Sequence, residues 1–173
     1  MKEAKTGGQH VRHQDYGYWY ENGCLFPDMG SVFIPLDPAT KENGCILAGS
    51  HRLGRLNTAI IGTGDIRQNG ADLERVEQAK NIFKLVYAEL NPGDGIFFQC
   101  NLLHKSSQNL SENRRWSLIC AYNTRENNPV WRHHFAQYHP LLKVQNSAIM
   151  ECPNRRSTIA KTYFNPKDDK SIQ

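Results

Sequence analysis

Neither a CxxC pair nor a GxSxG elbow occurs in this sequence, and no apolar run extends beyond a few residues. The first absence removes zinc-ribbon and dithiol redox chemistry. The second removes a serine nucleophile built on Ser50 and His51, and the third a helix that spans a bilayer. Charge of one sign is scarce as well. The formal net charge is +4 with basic and acidic residues interspersed, so neither nucleic acid nor a membrane is an expected partner. The five cysteines, Cys24, Cys45, Cys100, Cys120 and Cys152, are odd in number and widely spaced, and no apolar leader opens the sequence. That usage predicts a reduced intracellular protein, cytoplasmic by expectation, with Cys100 and Cys120 as small core hydrophobes. Asn109-Leu110-Ser111 reads as a turn and not as a glycosylation site.

What is present is a series of short strand patterns with turn signals and one helix, in a length that suits one domain over residues 1–173. GSVFIPLD from Gly30 alternates like a strand, and Pro35 predicts an edge position or a bulge. DPATKENG supplies a turn around Asn43-Gly44, and CILA follows as a second strand. Residues 56–71 hold three glycines without periodicity and read as a surface loop, a lid over any site nearby. DLERVEQAKNIF, residues 72–83, places Leu73, Val76, Ile82 and Phe83 at helical spacing behind an Asp72 cap. KLVYAEL, GIFFQ and RWSLICAYN read as strands, with NPGDG as a turn. The sum predicts an antiparallel all-β sandwich or barrel with one inserted helix. In the tail, His133, His134 and His139 lack ligand spacing and read as a surface segment folding back, and the last residues as disordered.

The stretch HVRHQDYGYWY, residues 10–20, carries His13 and Asp15 two positions apart. On a strand these side chains leave the same face, so an imidazole and a carboxylate converge. With His104 as third ligand, two nitrogens, one carboxylate oxygen and open positions make the facial triad of non-haem Fe(II) oxygenases. An HxD pair alone is weak, since seven His and seventeen acids yield one by chance, and its plainer reading is a surface strand with a satisfied histidine. Its company raises it: PGDG before a strand, then His104, then Arg115 eleven positions later.

HQD at 13–15, LDPATKENGCI at 36–46, GSH at 49–51, PGD at 92–94, HKSSQN at 104–109 and Arg115 together resemble the phytanoyl-CoA dioxygenase family. The resemblance covers a core of residues 10–128, leaving 129–173 as a C-terminal extension. It implies a double-stranded β-helix, a cupin-like jelly roll, and an Fe(II)- and 2-oxoglutarate-dependent dioxygenase. Such an enzyme uses O2 to hydroxylate a small-molecule substrate, releasing succinate and CO2. It implies His13, Asp15 and His104 as iron ligands and Arg115 as the anchor of the far carboxylate of 2-oxoglutarate. A guanidinium suits that task, being planar, bidentate and always charged. Asp15 also fills the position that related iron halogenases leave open for chloride, so hydroxylation is expected.

Ser117 shares the face of Arg115 and is expected to assist it. Gln14, by the family's HQD motif, is expected to touch the cosubstrate through local twist. Tyr16, Tyr18, Trp19 and Tyr20 line either a substrate pocket or an aromatic edge of the core, and His51 either the site mouth or a loop cap. Because neighbours on a strand face opposite ways, Arg115 inward brings Ser117, Ile119 and Ala121 with it. Arg114 inward would bring Trp116, Leu118, Cys120 and Tyr122. The family offset from His104 selects the former. Twelve residues precede His13, whereas family members carry a substantial segment there. The resemblance therefore implies a shortened form, or one whose missing strand a partner supplies. The alternative function is a non-catalytic jelly-roll remnant that binds metal or ligand without turnover.

Overall fold

In a computed structural model, the chain is described at residues 2–6, 8–41, 45–62, 67–131 and 140–153, for the backbone alone at 45–47. It is mostly β-sheet with few helices. The elements are β1 (His10–His13), α1 (Asp15–Glu21), β2 (Met29–Pro35), β3 (Cys45–Leu47), β4 (Thr58–Ile61), β5 (Gln68–Ala71), α2 (Leu73–Ile82), β6 (Leu85–Tyr87), β7 (Ile96–Gln99), β8 (His104–Ser106), β9 (Ser117–Asn123) and α3 (Ala148–Glu151). Two antiparallel sheets, ordered β1-β8-β3-β6 and β7-β2-β9, and the β4-β5 hairpin carry the chain. The sheets meet where Phe98 of β7 packs on His104 of β8, ring centroids 5.0 Å apart.

Sequence and local structure agree at α2, where the Asp72 side chain accepts from the Arg75 N–H at 2.9 Å and so satisfies a free donor of the first turn. They differ in four places. β2 is central, not an edge strand: its pairing with β7 ends at Phe33↔Ile96 while β9 runs on to Pro35↔Ser117. The Leu36 N–H already donates across to Trp116, so the ring nitrogen of Pro35 faces the other side, beyond the end of β7, where no ladder bond is lost. Residues 56–71 are not a plain loop, since the β-branched run of β4 pairs with β5 from Thr58↔Ala71 to Ile61↔Gln68. The DYGYWY stretch is α1 and not strand, so the chain has more than one helix. Cys120 is half-exposed, unlike buried Cys100 and Cys24.

Two small apolar clusters form the core. One joins Ala71, Val76, Ala79 and Leu103, and the other Tyr16, Cys24, Met29 and Cys100. Leu103 of the first and Cys100 of the second both belong to the segment that leads to His104. The Asn43-Gly44 turn, His133, His134, His139 and the final residues fall outside the described part. Among the described residues no helix is long and apolar enough to cross a membrane.

Candidate metal centre

His13 ends β1 and Asp15 begins α1, with Gln14 between them in an extended conformation, φ −114° and ψ 134°. The pair is therefore not presented by one strand, as the alternation predicts, but by a strand-to-helix corner. The corner is fixed by the Tyr16 N–H donating to Cys100 O at 3.0 Å and by burial of Tyr16 and Gly17. It still turns the carboxylate back toward the imidazole. His104 opens β8 directly opposite His13 in the β1–β8 ladder, which brings the two rings to 4.2 Å between centroids. Asp15 Oδ1 lies 3.5 Å from the Nε2 atom of each histidine. One donor atom from each of the three residues lies within 4.8 Å of the others, the only such group of three or more among the described residues.

The histidine tautomers suit metal ligation. His13 Nδ1 is 2.7 Å from Val11 O and His104 Nδ1 is 2.9 Å from Leu102 O, so each Nδ1 carries the proton and each Nε2 presents its lone pair inward. Ser31 of β2 donates through Oγ to Asp15 Oδ2 at 2.9 Å, leaving Oδ1 to face the rings. Burial pulls the His13 pKa down, but bonding to Asp15 and Val11 and the Asp15 charge raise it overall. Burial pushes Asp15 up and is outweighed by the His13 bond, the charges of both histidines and the Ser31 bond, so its pKa falls. His104 is lowered to about 4 by burial and by the His13 charge. The donor set, two imidazoles and one carboxylate, fits a divalent transition metal with open positions.

A second, cationic end lies along the face of β2 and β9 that bears Ser31. Opposed residues of β2 and β9 share a face, so Ser31↔Ala121, Phe33↔Ile119 and Pro35↔Ser117 continue from the Asp15 side toward Arg115. The Arg115 guanidinium sits 5.8 Å from the Phe33 ring centre. Arg115 is buried and its Nε has no hydrogen-bond partner. Arg114 points outward, 3.3 Å from Asp37 and stacked 4.4 Å over Trp116. Lys2 bridges Arg115 through a pair of backbone bonds of 2.9 and 2.7 Å, and its buried ammonium donates to Ser107 O. Burial and the Arg115 charge lower the Lys2 pKa to about 8. Among the described residues no carboxylate forms an ion pair with either cation. Two adjacent buried cations, one with an orphaned donor, fit the carboxylate of a bound anion.

The other candidate residues have different places. Gln14 turns away from the ligands and its amide is engaged: Nε2 donates to Gly54 O (2.8 Å) and Asn101 O (2.7 Å), and Oε1 accepts from the Leu56 N–H (2.7 Å). It fastens the 49–56 loop to the site. Tyr16 belongs to the core, its hydroxyl donating to Leu25 O at 2.5 Å, and Trp19 packs on the same cluster. Tyr20 lies under Arg55, 4.0 Å from the guanidinium. Tyr18 alone of these aromatics lines a small open cleft beside His13, together with Asn57, Thr58 and Asn69. His51 is exposed in a 3₁₀ turn, whose fastening to the site comes from Ser50, the Oγ of which accepts from the Leu103 N–H at 2.9 Å. Ser31, Lys2 and Phe98 were not singled out from the sequence, and Ser50 only as a nucleophile that was excluded. For Ser31 the signal was there, a lone hydroxyl on an apolar strand face; for Lys2 there was none.

The phytanoyl-CoA dioxygenase (PhyH) family matches residues 1–117. L-proline trans-4-hydroxylase of Streptomyces griseoviridis is 34% identical over 144 residues, 75% of this chain and 54% of that protein. Phytanoyl-CoA dioxygenase 1 of rice, Oryza sativa subsp. japonica, is 29% identical over 120 residues, 68% of this chain and 40% of that protein. EctD from S. alaskensis, in a crystal structure with 2-oxoglutarate and 5-hydroxyectoine, superposes with a TM-score of 0.61 at 25% identity, covering 74% of this chain and 43% of that one. Its structure with bound Fe gives the same TM-score over 76% and 46%. The chain thus spans about half the length of the proteins it resembles.

Proposed function

This chain belongs to the phytanoyl-CoA dioxygenase family, and from that premise we propose that it is an Fe(II)- and 2-oxoglutarate-dependent dioxygenase that hydroxylates a small organic molecule. The observation that carries the proposal is the pairing of a three-donor cluster within 4.8 Å with a buried cationic end, joined along the β2–β9 face that bears Ser31. His13, Asp15 and His104 hold the iron. Arg115 and Lys2 hold the far carboxylate of 2-oxoglutarate, and Ser117, beyond Arg115 on the same face, adds a hydroxyl. Bound iron supplies O2 activation coupled to oxidation of 2-oxoglutarate to succinate and CO2. The protein positions: Ser31 orients the carboxylate, the Val11 and Leu102 carbonyls fix both imidazoles, and Phe98 shields His104. We assign the two facing sheets to a double-stranded β-helix within a single domain of residues 1–173, with the core at 10–128. Tyr18 and the cleft beside it take the substrate.

Similarity to a proline hydroxylase and to EctD supports a small-molecule substrate. A second reading, binding without turnover, is favoured by one observation: Ile119, on the Arg115 face, is 61% exposed, so water reaches the site from that side. Succinate release from 2-oxoglutarate with added Fe(II) separates the two. Turnover above that of Asp15→Ala supports the enzyme, and binding of both ligands with no succinate supports the alternative.

A further inference from the structure

From the hydrogen bonds around β1 we infer that Gln68, on the β4-β5 hairpin, is a positioning residue that sets the orientation of the metal ligand His13. The inference rests on the metal reading above. β1 joins β8 at His10↔Ser106 and His13↔His104, and the register slips between these points. A slip of this kind leaves the bulged strand free to bend, because the ladder is locally disrupted. Val11, inside the slipped stretch, is the residue whose carbonyl accepts from His13 Nδ1 at 2.7 Å.

Gln68 closes that gap from the opposite edge. Its Oε1 accepts from the Val11 N–H at 2.9 Å and its Nε2 donates to Gln9 O at 2.8 Å. One side-chain amide thus reproduces the two bonds that a neighbouring strand would make. The hairpin is seated closely enough for this: a Cβ at Gly70 would lie 3.1 Å from the Val11 Cγ2 and 2.3 Å from the Ile61 Cδ1. The chain of contacts runs from Gln68 to the Val11 backbone, from the Val11 carbonyl to His13 Nδ1, and from His13 Nε2 to the metal. Partners of this kind act by holding the tautomer and ring angle of a ligating histidine. The β4-β5 pair, within the 56–71 stretch read from sequence as a lid, is on this account a brace for the metal strand.

The test is a titration of the full chain with Mn(II) alone, followed by electron paramagnetic resonance, for the parent, Gln68→Ala and Gln68→Glu. Gln68→Ala should bind Mn(II) up to about tenfold more weakly, no more than the low end of what losing a histidine's direct partner costs, because Gln68 acts one bond further out, through Val11. Gln68→Glu keeps the acceptor for Val11 and should recover to within about threefold of the parent, since it lacks only the donor to Gln9. Nitrogen chemical shifts of His13 in metal-free protein supply a readout that a merely structural role would not move. The parent should show the Nδ1–H form, and Gln68→Ala a mixture of tautomers. Equal Mn(II) affinity in parent and Gln68→Ala, or an unmixed tautomer, would overturn the inference while leaving the metal site standing. Failure of the parent itself to bind Mn(II) would overturn both.

Discussion

The two ends of the candidate site are built on opposite terms. At the metal end every donor is tied by a bond of its own: His13 to Val11, His104 to Leu102, Asp15 to Ser31. At the cationic end the guanidinium of Arg115 keeps a buried Nε without a partner among the described residues, and its charge acts against that of Lys2. The first end is preorganised and nearly satisfied before anything binds. The second stores unfavourable desolvation and like-charge repulsion that a carboxylate would relieve. Changes at the metal end should therefore alter how well the metal is held, and changes at the cationic end should alter how badly the empty site needs an anion.

The largest effect should come from Asp15→Ala, which removes the one negative ligand and leaves two imidazoles facing each other. Its loss of Mn(II) affinity should exceed the roughly 10–100-fold that an outer partner costs. Calorimetric titration checks this, and a change of less than tenfold would break the distinction between the ends. Next is the arginine pair. Arg115→Ala should weaken 2-oxoglutarate binding by roughly 2–5 kcal/mol, the cost of truncating one side of a buried charged contact. Arg114→Ala should leave it nearly intact, because Arg114 is engaged outside with Asp37 and Trp116.

The metal-free protein should lose stability in mild acid. His104 titrates at about 4 in the fold and 6.5 when unfolded, so between those values the unfolded chain binds a proton that the folded one refuses. Stability from this residue is present above pH 6.5 and falls on the order of 2–3 kcal/mol as pH drops to 4. His13, whose pKa is raised, acts in the opposite sense, its contribution lost as pH rises through its folded value. Denaturant melts from pH 4 to 8, with and without Mn(II), should show the acid loss shifted to lower pH by bound metal. Smaller again, Lys2→Met should cost 2-oxoglutarate binding about 1.5–3 kcal/mol, the worth of a charged hydrogen bond. In the absence of ligand it should leave melting temperature unchanged or raised, the mark of relieved repulsion. Ser31→Ala should weaken Mn(II) by about tenfold with no effect on melting temperature.

The same contrast explains what could be read from the sequence. His13, Asp15, His104 and Arg115 stood out because HQD, PGD, HKSSQN and the eleven-residue offset together resemble one family, whereas an HxD pair alone is weak. The means by which they converge were less legible. HQDYGYWY has strand-like aromatics, yet tertiary contacts to Cys100 and burial of Tyr16 and Gly17 turn it into α1. Period-2 reasoning thus joined His13 and Asp15 for a reason other than the one that operates. The hairpin was hidden because its glycines, with Gly70 packed against Ile61, read locally as loop while the pairing partner lies along the chain. Pro35 read as the sign of an edge or a bulge, yet its ring nitrogen falls beyond the end of β7, and where β7 stops no local pattern records. Lys2 is a surface residue by composition and is buried where it pairs with Arg115 and reaches Ser107, contacts distant in sequence.

The most direct test of the central claim, that both ends act on one metal-bound cosubstrate, is the charge-transfer absorption that 2-oxoglutarate develops when it chelates Fe(II), followed anaerobically in the full chain. The band should grow with 2-oxoglutarate in the parent and in Arg114→Ala at similar concentrations, require much more in Arg115→Ala, and be absent in Asp15→Ala. Fe(II) binding with no band at saturating 2-oxoglutarate, or a band lost equally in both arginine variants, would contradict the account.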